Sequence, residues 1–411
     1  MLGWALYDWA NSAFALAVLT AFVPVMLGGA WNDGAPSTMT TFRLGMANGV
    51  ASLIVVVLAP MLGAMTDQAR RRKPWLAMFT VLGVVATALL ASAGPGGWQL
   101  AMLCFILASV GFFAANSLYD AMLIDVAEPL EYDRVSALGY ALGYLGGALL
   151  FTISVILLAS PATFGLESPS AAIELTFVLV AIWWAVFSLP LLLWVKEREP
   201  AQAPVSGAFL AGLRELRNTV RSLGSERNLL WFLAAYWLYI DGVYTIIKMA
   251  VDYGLSQGLS ATDVTGAILL TNFLGFPAAL AFGVLGDRIG PRAAIFLALS
   301  VYIVATVLAV FLTTALHFYA LAATIGLVQG GVQSLSRSLF ARLIPPAKSG
   351  EYFGFYNMLG KFSSILGPVL AGTVALVSGS QRVAILSIVL LFVSGLWLLT
   401  RVQVPAVRAA V

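Results

Sequence analysis

Six ionisable residues interrupt stretches of this 411-residue chain that are otherwise apolar: Asp8, Asp120 and Asp241 are acidic, and Lys248, Arg337 and Lys361 are basic. A charge at the centre of a membrane-spanning helix costs about 2.5–3.5 kcal/mol even on the lenient insertion scale, so such groups face a partner or a water-filled path. Carboxylates there can take up protons or hold an ammonium group, and the cations can hold carboxylates. Hydrogen-bonding and flat side chains flank them: Tyr7, Trp9, Asn11 and Ser12; Asn116 and Tyr119; Tyr236 and Tyr239; Gln329, Gln333 and Ser336. This mixture suits a small zwitterion, with Arg or Lys for its carboxylate, Asp for its ammonium and aromatic rings for its side chain. The plainer alternative for many of these residues is packing, since Ser, Asn and Gln also join helices within membranes.

Catalytic chemistry is poorly supplied. The chain has one histidine, His317, and one cysteine, Cys104. No disulfide can form, and neither a His/Cys zinc site nor bis-histidine haem can be built. Cys104 is expected to pack, and His317 to sit in a short outer turn. Gly354 to Lys361 has the outline of a phosphate-binding loop, but five residues separate its glycines and Phe362 follows the lysine where Ser or Thr is required. We expect no enzyme, no metal and no resident cofactor.

The elements that must position the charges are helices in a bilayer. Hydrophobic residues make up 61% of the chain and charged ones 10%, far from the roughly 45–50% and 25% of soluble domains. Apolar runs long enough to cross about 30 Å of hydrocarbon fall near 3–28, 42–63, 75–93, 99–125, 134–160, 172–195, 229–253, 264–286, 292–313, 317–343, 352–378 and 383–402. These are predicted spans 1 to 12. Of the 22 Lys and Arg residues, 17 fall in the loops after spans 2, 4, 6, 8 and 10 or in the C-terminal tail. Arg43 and Arg382 lie near the opposite face, so the positive-inside rule places both termini in the cytoplasm. Span 1 begins almost at Met1 without a basic n-region and is expected to be retained.

The predicted organisation is a six-helix bundle at 1–195, a cytoplasmic linker at 196–228, a second bundle at 229–402 and a tail at 403–411. Within the linker, Phe209, Leu213, Leu216, Val220 and Leu223 recur at steps of four and three, with Arg214, Arg217 and Arg221 on another face. That pattern predicts an amphipathic helix on the membrane surface.

The two bundles read as copies. Gly63-Ala-Met-Thr-Asp67-Gln-Ala-Arg70-Arg71-Arg72-Lys73 recurs 220 residues later as Gly283-Val-Leu-Gly-Asp287-Arg288-Ile-Gly290-Pro-Arg292. Gly63 and Gly283 are expected to let helices approach closely, Asp67 and Asp287 to cap a neighbouring helix, and Arg71 and Arg288 to hold the cytoplasmic surface. Glu131-Tyr132 matches Glu351-Tyr352 at the same offset, and Trp4 and Asp8 echo Trp237 and Asp241. At an offset of 217 the copies differ in sign: Asp120 and Asp125 stand opposite Arg337 and Arg342.

Twelve spans, the six-plus-six repeat and the duplicated loop resemble the major facilitator superfamily. Within it, Trp4-Ala-Leu-Tyr7-Asp8-Trp9-Ala-Asn11-Ser12-Ala-Phe14 resembles the opening signature of the vacuole-effluxer-like family, whose fungal members export amino acids from the vacuole. Gly330-Gly-Val-Gln333-Ser-Leu-Ser336-Arg337-Ser338 and Gly354-Phe-Tyr356-Asn-Met-Leu-Gly360-Lys361 are similar to that family's spans 10 and 11. The resemblance implies an all-α polytopic fold of two pseudo-symmetric six-helix bundles and alternating access by rocking of the bundles. It also implies that spans 1, 4, 7 and 10 line a cavity, and that spans 4, 5, 10 and 11 close its inner mouth. Span 5 carries Gly139, Gly143, Gly146 and Gly147, but Tyr144 stands where the antiporter motif of related facilitators has proline, so that motif does not support antiport.

The expected site follows. Asp8, Asn11, Asn116, Tyr119, Asp120, Tyr239, Asp241, Gln333, Arg337 and Lys361 face the cavity. Gly63, Asp67, Arg71, Asp125, Gly283, Asp287, Arg288 and Arg342 serve the gating loops. Asp120 is expected to pair with Arg337 or Lys361 across the halves when the inner mouth is shut. At about 4 Å and an effective dielectric near 20, such a pair gains roughly 4 kcal/mol before desolvation, enough to bias a bistable carrier. The expected protein is a monomeric secondary transporter of the plasma (inner) membrane, moving a small polar or zwitterionic, amino-acid-like solute with protons as the candidate coupling ion. The bilayer is its other partner, and no nucleic acid is expected. Efflux of amphipathic compounds is the alternative, with a non-transporting receptor or scaffold as the rival outside transport.

Overall fold

The structure, a computed structural model, describes residues 1–197, 224, 226–363 and 366–405. Twelve helical stretches in it are long and apolar enough to cross a membrane. Spans 1 to 6 are Leu2–Gly28, Ser37–Ala69, Lys73–Ser92, Trp98–Val126, Tyr132–Ala159 and Pro169–Trp194. Spans 7 to 12 are Arg227–Val251, Ala261–Ile289, Pro291–Ala309, Ala315–Leu343, Pro346–Ser378 and Gln381–Leu399. Among the described residues there are no strands. The predicted amphipathic helix at 209–223 lies outside the described residues.

The span ends follow local chemistry. Span 8 opens on a reciprocal cap in which Ser260 accepts from the Asp263 N–H and the Asp263 side chain accepts from the Ser260 N–H, satisfying two orphan donors at once. Thr314 and Ser380 cap spans 10 and 12 in the simpler way. Span 2 ends on Arg70, which takes a left-handed conformation with φ 50°. Two spans are irregular. Span 1 passes through a π-helical stretch at Phe14–Phe22, and span 11 consists of two helices, Ser349–Phe362 and Leu366–Ser378.

Spans 1 to 6 pack mainly on one another, as do spans 7 to 10 and 12. The halves meet where span 5 lies against spans 8 and 10, and where the first helix of span 11 lies against spans 2 and 4. The span 2–3 and span 8–9 loops lie at one end of the molecule, its basic end. There a single hydrophobic core joins both halves, running from Trp4, Tyr7 and Leu118 to Phe340, Phe353 and Tyr356. At the opposite end the cores are separate, one around Phe22, Trp31 and Phe177 and another around Tyr253, Phe318 and Ile385.

Small residues permit the closure. A Cβ on Gly63 would lie 2.0 Å from the Gly350 carbonyl oxygen, and one on Gly354 would lie 2.5 Å from Pro60 Cα, so spans 2 and 11 touch backbone to backbone. The second helix of span 11 packs instead on spans 7 and 12. The halves are therefore pressed together backbone to backbone at the basic end, while toward the other end Ile268 and Leu269 of span 8 pack against the core of the first half.

Candidate functional site

Arg337 is the centre of the contact between halves. It sits in span 10 among Gln333, Ser334, Ser336 and Ser338, small and polar neighbours that leave room for its guanidinium, and only 1% of its side chain is exposed. Its Nη1 donates to Asp120 Oδ1 at 2.9 Å, and both Nη1 and Nη2 lie 3.4 Å from Asp8 Oδ2. Nε donates to Ser136 Oγ and Nη2 to the Ser136 carbonyl oxygen, each at 2.9 Å. These partners come from spans 1, 4 and 5, all in the first half. The indole of Trp4 and the ring of Tyr140 lie 4.8 and 4.4 Å from the guanidinium carbon, which favours a desolvated cation.

Neighbouring side chains hold the two carboxylates in place. Tyr119 donates to Asp8 Oδ2 at 2.8 Å and stacks on Trp4 with ring centres 4.4 Å apart. Asn357 of span 11 donates to Asp120 Oδ2 at 2.9 Å. Sequence reasoning offered Lys361 as an alternative partner for Asp120. The partner from span 11 is instead Asn357, one helical turn earlier, and Lys361 Nζ lies 2.6 Å from the ring centre of Phe113 in span 4. Asn357 was missed, although it stands four residues before Lys361 on the same face.

Nearer the basic end lie two ionic clusters. In the first, Asp67 caps the first helix of span 11, accepting from the N–H of Gly350 and of Glu351 at 2.9 Å each. Arg72 bonds Asp67 at 2.5 Å, Asp125, and Ser349 Oγ at 2.8 Å. Glu197, just past span 6, accepts from the backbone N–H groups of Arg72 and of Lys73, the latter at 2.7 Å. Burial opposes the charge on Arg72, but Asp67 and Asp125 outweigh it and hold the guanidinium above its ordinary pKa. In the second cluster Arg342 makes a two-pronged bond to Asp133, at 2.6 and 3.1 Å, and Ser338 donates to the same carboxylate. Asp287 pairs with Arg134.

Three expectations change here. Arg71 is exposed and Arg72 buried, because the left-handed turn at Arg70 sends the following residue outward and the next inward. Of the second pair of opposite charges at matching positions, Asp125 is bonded by Arg72 within its own half, whereas Arg342 reaches across to Asp133 of the first half. Asp241 does not present its carboxylate to a cavity. It accepts from the N–H groups of Leu366 and Gly367 at 3.0 and 2.9 Å and from Thr245 Oγ1 at 3.2 Å, capping the second helix of span 11.

The other expected residues divide between joints and braces. Gln333 accepts from Tyr144 OH at 2.6 Å, linking spans 10 and 5. Gly283 meets Ala137 and Asp133 of span 5, and Arg288 is exposed. Asn11 donates to Asn116 at 2.7 Å within the first half, and Tyr239 shares a hydrogen bond with Ser336 at 2.7 Å within the second.

A family model described as "Vacuole effluxer Atg22 like" matches residues 34–410. The chain belongs to this family. The match begins after span 1, so the Trp4 to Phe14 signature lies outside it. The MFS-type transporter YxiO of Bacillus subtilis (strain 168) is 36% identical over 399 residues, covering 96% of this chain and 93% of the relative. Autophagy-related protein 22-1 of Penicillium rubens is 28% identical over 287 residues, covering 63% of this chain and 47% of its own length. Among solved structures, the human organic anion transporter MFSD10 superposes with a TM-score of 0.70 at 18% identity, covering 97% of each chain. FucP in its outward conformation superposes with a TM-score of 0.69 at 14% identity, covering 98% of this chain and 99% of that one. The Atg22-like chain is thus an MFS-type, multi-pass membrane transporter with the major facilitator fold. Ser136 and Asp133, which complete its joint from span 5, were missed by sequence reasoning. Their signal is the polar first turn that follows Glu131-Tyr132 in an otherwise apolar span.

Proposed function

We propose that the protein is a secondary carrier working by alternating access, in which Arg337, Asp8, Asp120 and Ser136 form the lock that keeps the basic end shut. One observation carries this reading: every hydrogen-bond partner of the Arg337 guanidinium belongs to the other half. The halves cannot part at that end without exposing a guanidinium and two carboxylates together. A rocking carrier must make and break such a joint in each cycle, whereas a scaffold gains nothing from the cost of burying it.

The cargo on this reading is a small polar or zwitterionic, amino-acid-like solute. Supporting it is the presence of both charge signs between the halves. Two carboxylates share one guanidinium, so the lock carries a formal charge of about −1, and neutralising either acid weakens its hold on Arg337. Protons are the coupling ion this favours. The excess of Lys and Arg at the basic end supports a cytoplasmic position for that end and for both termini under the positive-inside rule, and the reading takes the protein as a monomer in the plasma membrane.

The test is uptake and counterflow in proteoliposomes, with and without a pH gradient. Asp120→Asn is expected to abolish transport while leaving folded protein in the membrane, and full transport by that variant would sink the lock. Thermal stabilisation of the purified protein by amphipathic drugs alone would replace the polar-solute reading with amphipathic efflux.

A further inference from the structure

The periphery of the second half carries an open groove. Spans 9 and 10 leave a cavity of about 520 Å³ between the parts of them that lie farthest from the basic end. Small residues give it depth: Ala305 and Ala309 of span 9 and Leu312 just past it are buried in its floor, while Val304, Leu308 and Phe311 stand exposed along its edge. Ser300 and Thr324 mark its inner end, yet each hydroxyl is engaged by its own helix, donating at 2.8 Å to the carbonyl oxygens of Phe296 and Ala320. That end calls for no polar partner. Span 9 packs mainly on spans 8, 10 and 12, so the groove opens on the outside of the second half, away from the joint with the first.

The mouth of the groove is of another character. His317 of span 10 lines it, and Arg382, at the start of span 12, donates to the carbonyl oxygen of Leu312 in the floor at 3.3 Å. The guanidinium also donates to Gln257 Oε1 at 3.3 Å. Both acceptors are neutral, and the side chain is exposed, so a group with five N–H donors keeps its charge and further donors for an anion. Span 10 begins here as well, at Ala315, and the first turn of a helix favours negative charge. From Ser300 to Ala309 is nine residue steps, about 14 Å along the helix, against about 15 Å for half of the hydrocarbon thickness. The groove is thus one leaflet deep, apolar within and cationic at its mouth.

We propose that this groove holds an acyl chain of a bilayer phospholipid with a net negative head group, whose phosphate is bound by Arg382 and His317. A small soluble anion would leave the apolar part unfilled, and an uncharged tail would leave the guanidinium unpaired. The lipid comes from the leaflet opposite the basic end, fills the cleft beside span 10, the span that carries Arg337, and stays outside the path between the halves.

The test uses the purified full chain, stripped of co-purified lipid by prolonged detergent washing. Thermal stabilisation is titrated with phosphatidylglycerol, with phosphatidylcholine of the same acyl chains and with soluble glycerol phosphate. Phosphatidylglycerol should bind about tenfold more tightly than phosphatidylcholine, the worth of a charge-assisted bond, because the quaternary ammonium of the latter offsets the attraction of its phosphate to Arg382. Glycerol phosphate should not stabilise at the same concentration. Arg382→Gln should abolish the preference, and Ala320→Phe, which fills the groove from an exposed position, should weaken both lipids. If Arg382→Gln fails to fold, added salt decides the matter on the unaltered chain: the preference should shrink as the exposed guanidinium is screened. Equal affinity for the two lipids, a preference that survives Arg382→Gln or high salt, or unchanged lipid binding in Ala320→Phe overturns the proposal. Stabilisation by glycerol phosphate equal to that by phosphatidylglycerol overturns it too, by assigning Arg382 to a soluble anion.

Discussion

The duplicated loop has one sequence pattern and two structures. In the first copy the Asp67 side chain is only 7% exposed, caps a helix of the other half and shares Arg72 with Asp125 and Ser349. In the second, Asp287 pairs with Arg134, a side chain 67% exposed, and its Oδ1 has no hydrogen-bond partner among the described residues. The glycines differ in parallel. Gly63 abuts the backbone of Gly350, while the nearest atom to a Cβ on Gly283 is the Ala137 methyl at 2.6 Å. Duplication supplied two similar loops, and the partner each one meets decides how much it holds. The first loop faces a helix N-terminus with free N–H groups; the second faces the side of span 5, where no backbone donor is available.

That contrast predicts a ranked series. Asp67→Ala leaves Arg72 buried and two helix N–H groups uncapped, and should cost about 3–5 kcal/mol, the range for breaking a buried pair, in denaturant or thermal unfolding of the purified protein. Gly63→Ala forces two backbones apart and should cost about 1–3 kcal/mol, with increased labelling of a reporter cysteine placed at the basic end. Gly283→Ala should cost less, because a methyl group can give where a carbonyl cannot; equal costs would erase the distinction between the copies. Asp287→Asn should cost about 1 kcal/mol or less, the ordinary value of an exposed pair. Arg72→Gln and Arg71→Gln sharpen the comparison at single-residue resolution: the first should approach the Asp67→Ala effect and the second should stay within about 0.5 kcal/mol of wild type.

The smallest effect lies at the opposite end. Asp33 bonds Arg43 at 3.1 Å and accepts from the Trp98 indole at 3.2 Å, and the hydrogen bond from Arg43 holds its carboxyl below the ordinary carboxylate range. A depressed carboxyl pKa adds stability that is present above the unfolded value and lost as pH falls through the folded one. Asp33→Asn should therefore remove a slight acid-side loss of stability without touching the basic end.

Much of this architecture was legible in the sequence, for identifiable reasons. Apolar runs of membrane length can hardly be anything but spans, and the opposite signs of Asp120 and Arg337 at matching positions pointed to the pair that forms. What escaped depended on rotation about a helix or a turn. Choosing Asn357 over Lys361 requires knowing which turn of span 11 faces span 4. Choosing Arg72 over Arg71 requires the left-handed residue at Arg70, a conformation that arginine seldom takes and no pattern announces. The role of Asp241 hinges on the break in span 11, for which Gly367-Pro368 was the one clue: proline fits the first turn of a helix, where its missing N–H leaves no bond unmade.

That break gives span 11 two owners. Its first helix is fastened at the N-terminus by Asp67 of the first half, and its second by Asp241 of the second half. A continuous rod anchored at both points would have to shed both anchors before it could tilt. Two separately fastened pieces allow one anchor to release while the other persists, so on the proposed cycle opening of the basic end requires the Asp67 attachment to release along with the Arg337 lock, but not the Asp241 attachment. The intermediate in which only the first piece has detached is then a distinct state of the carrier, one that Asp67→Ala should populate and a substitution at Asp241 should not.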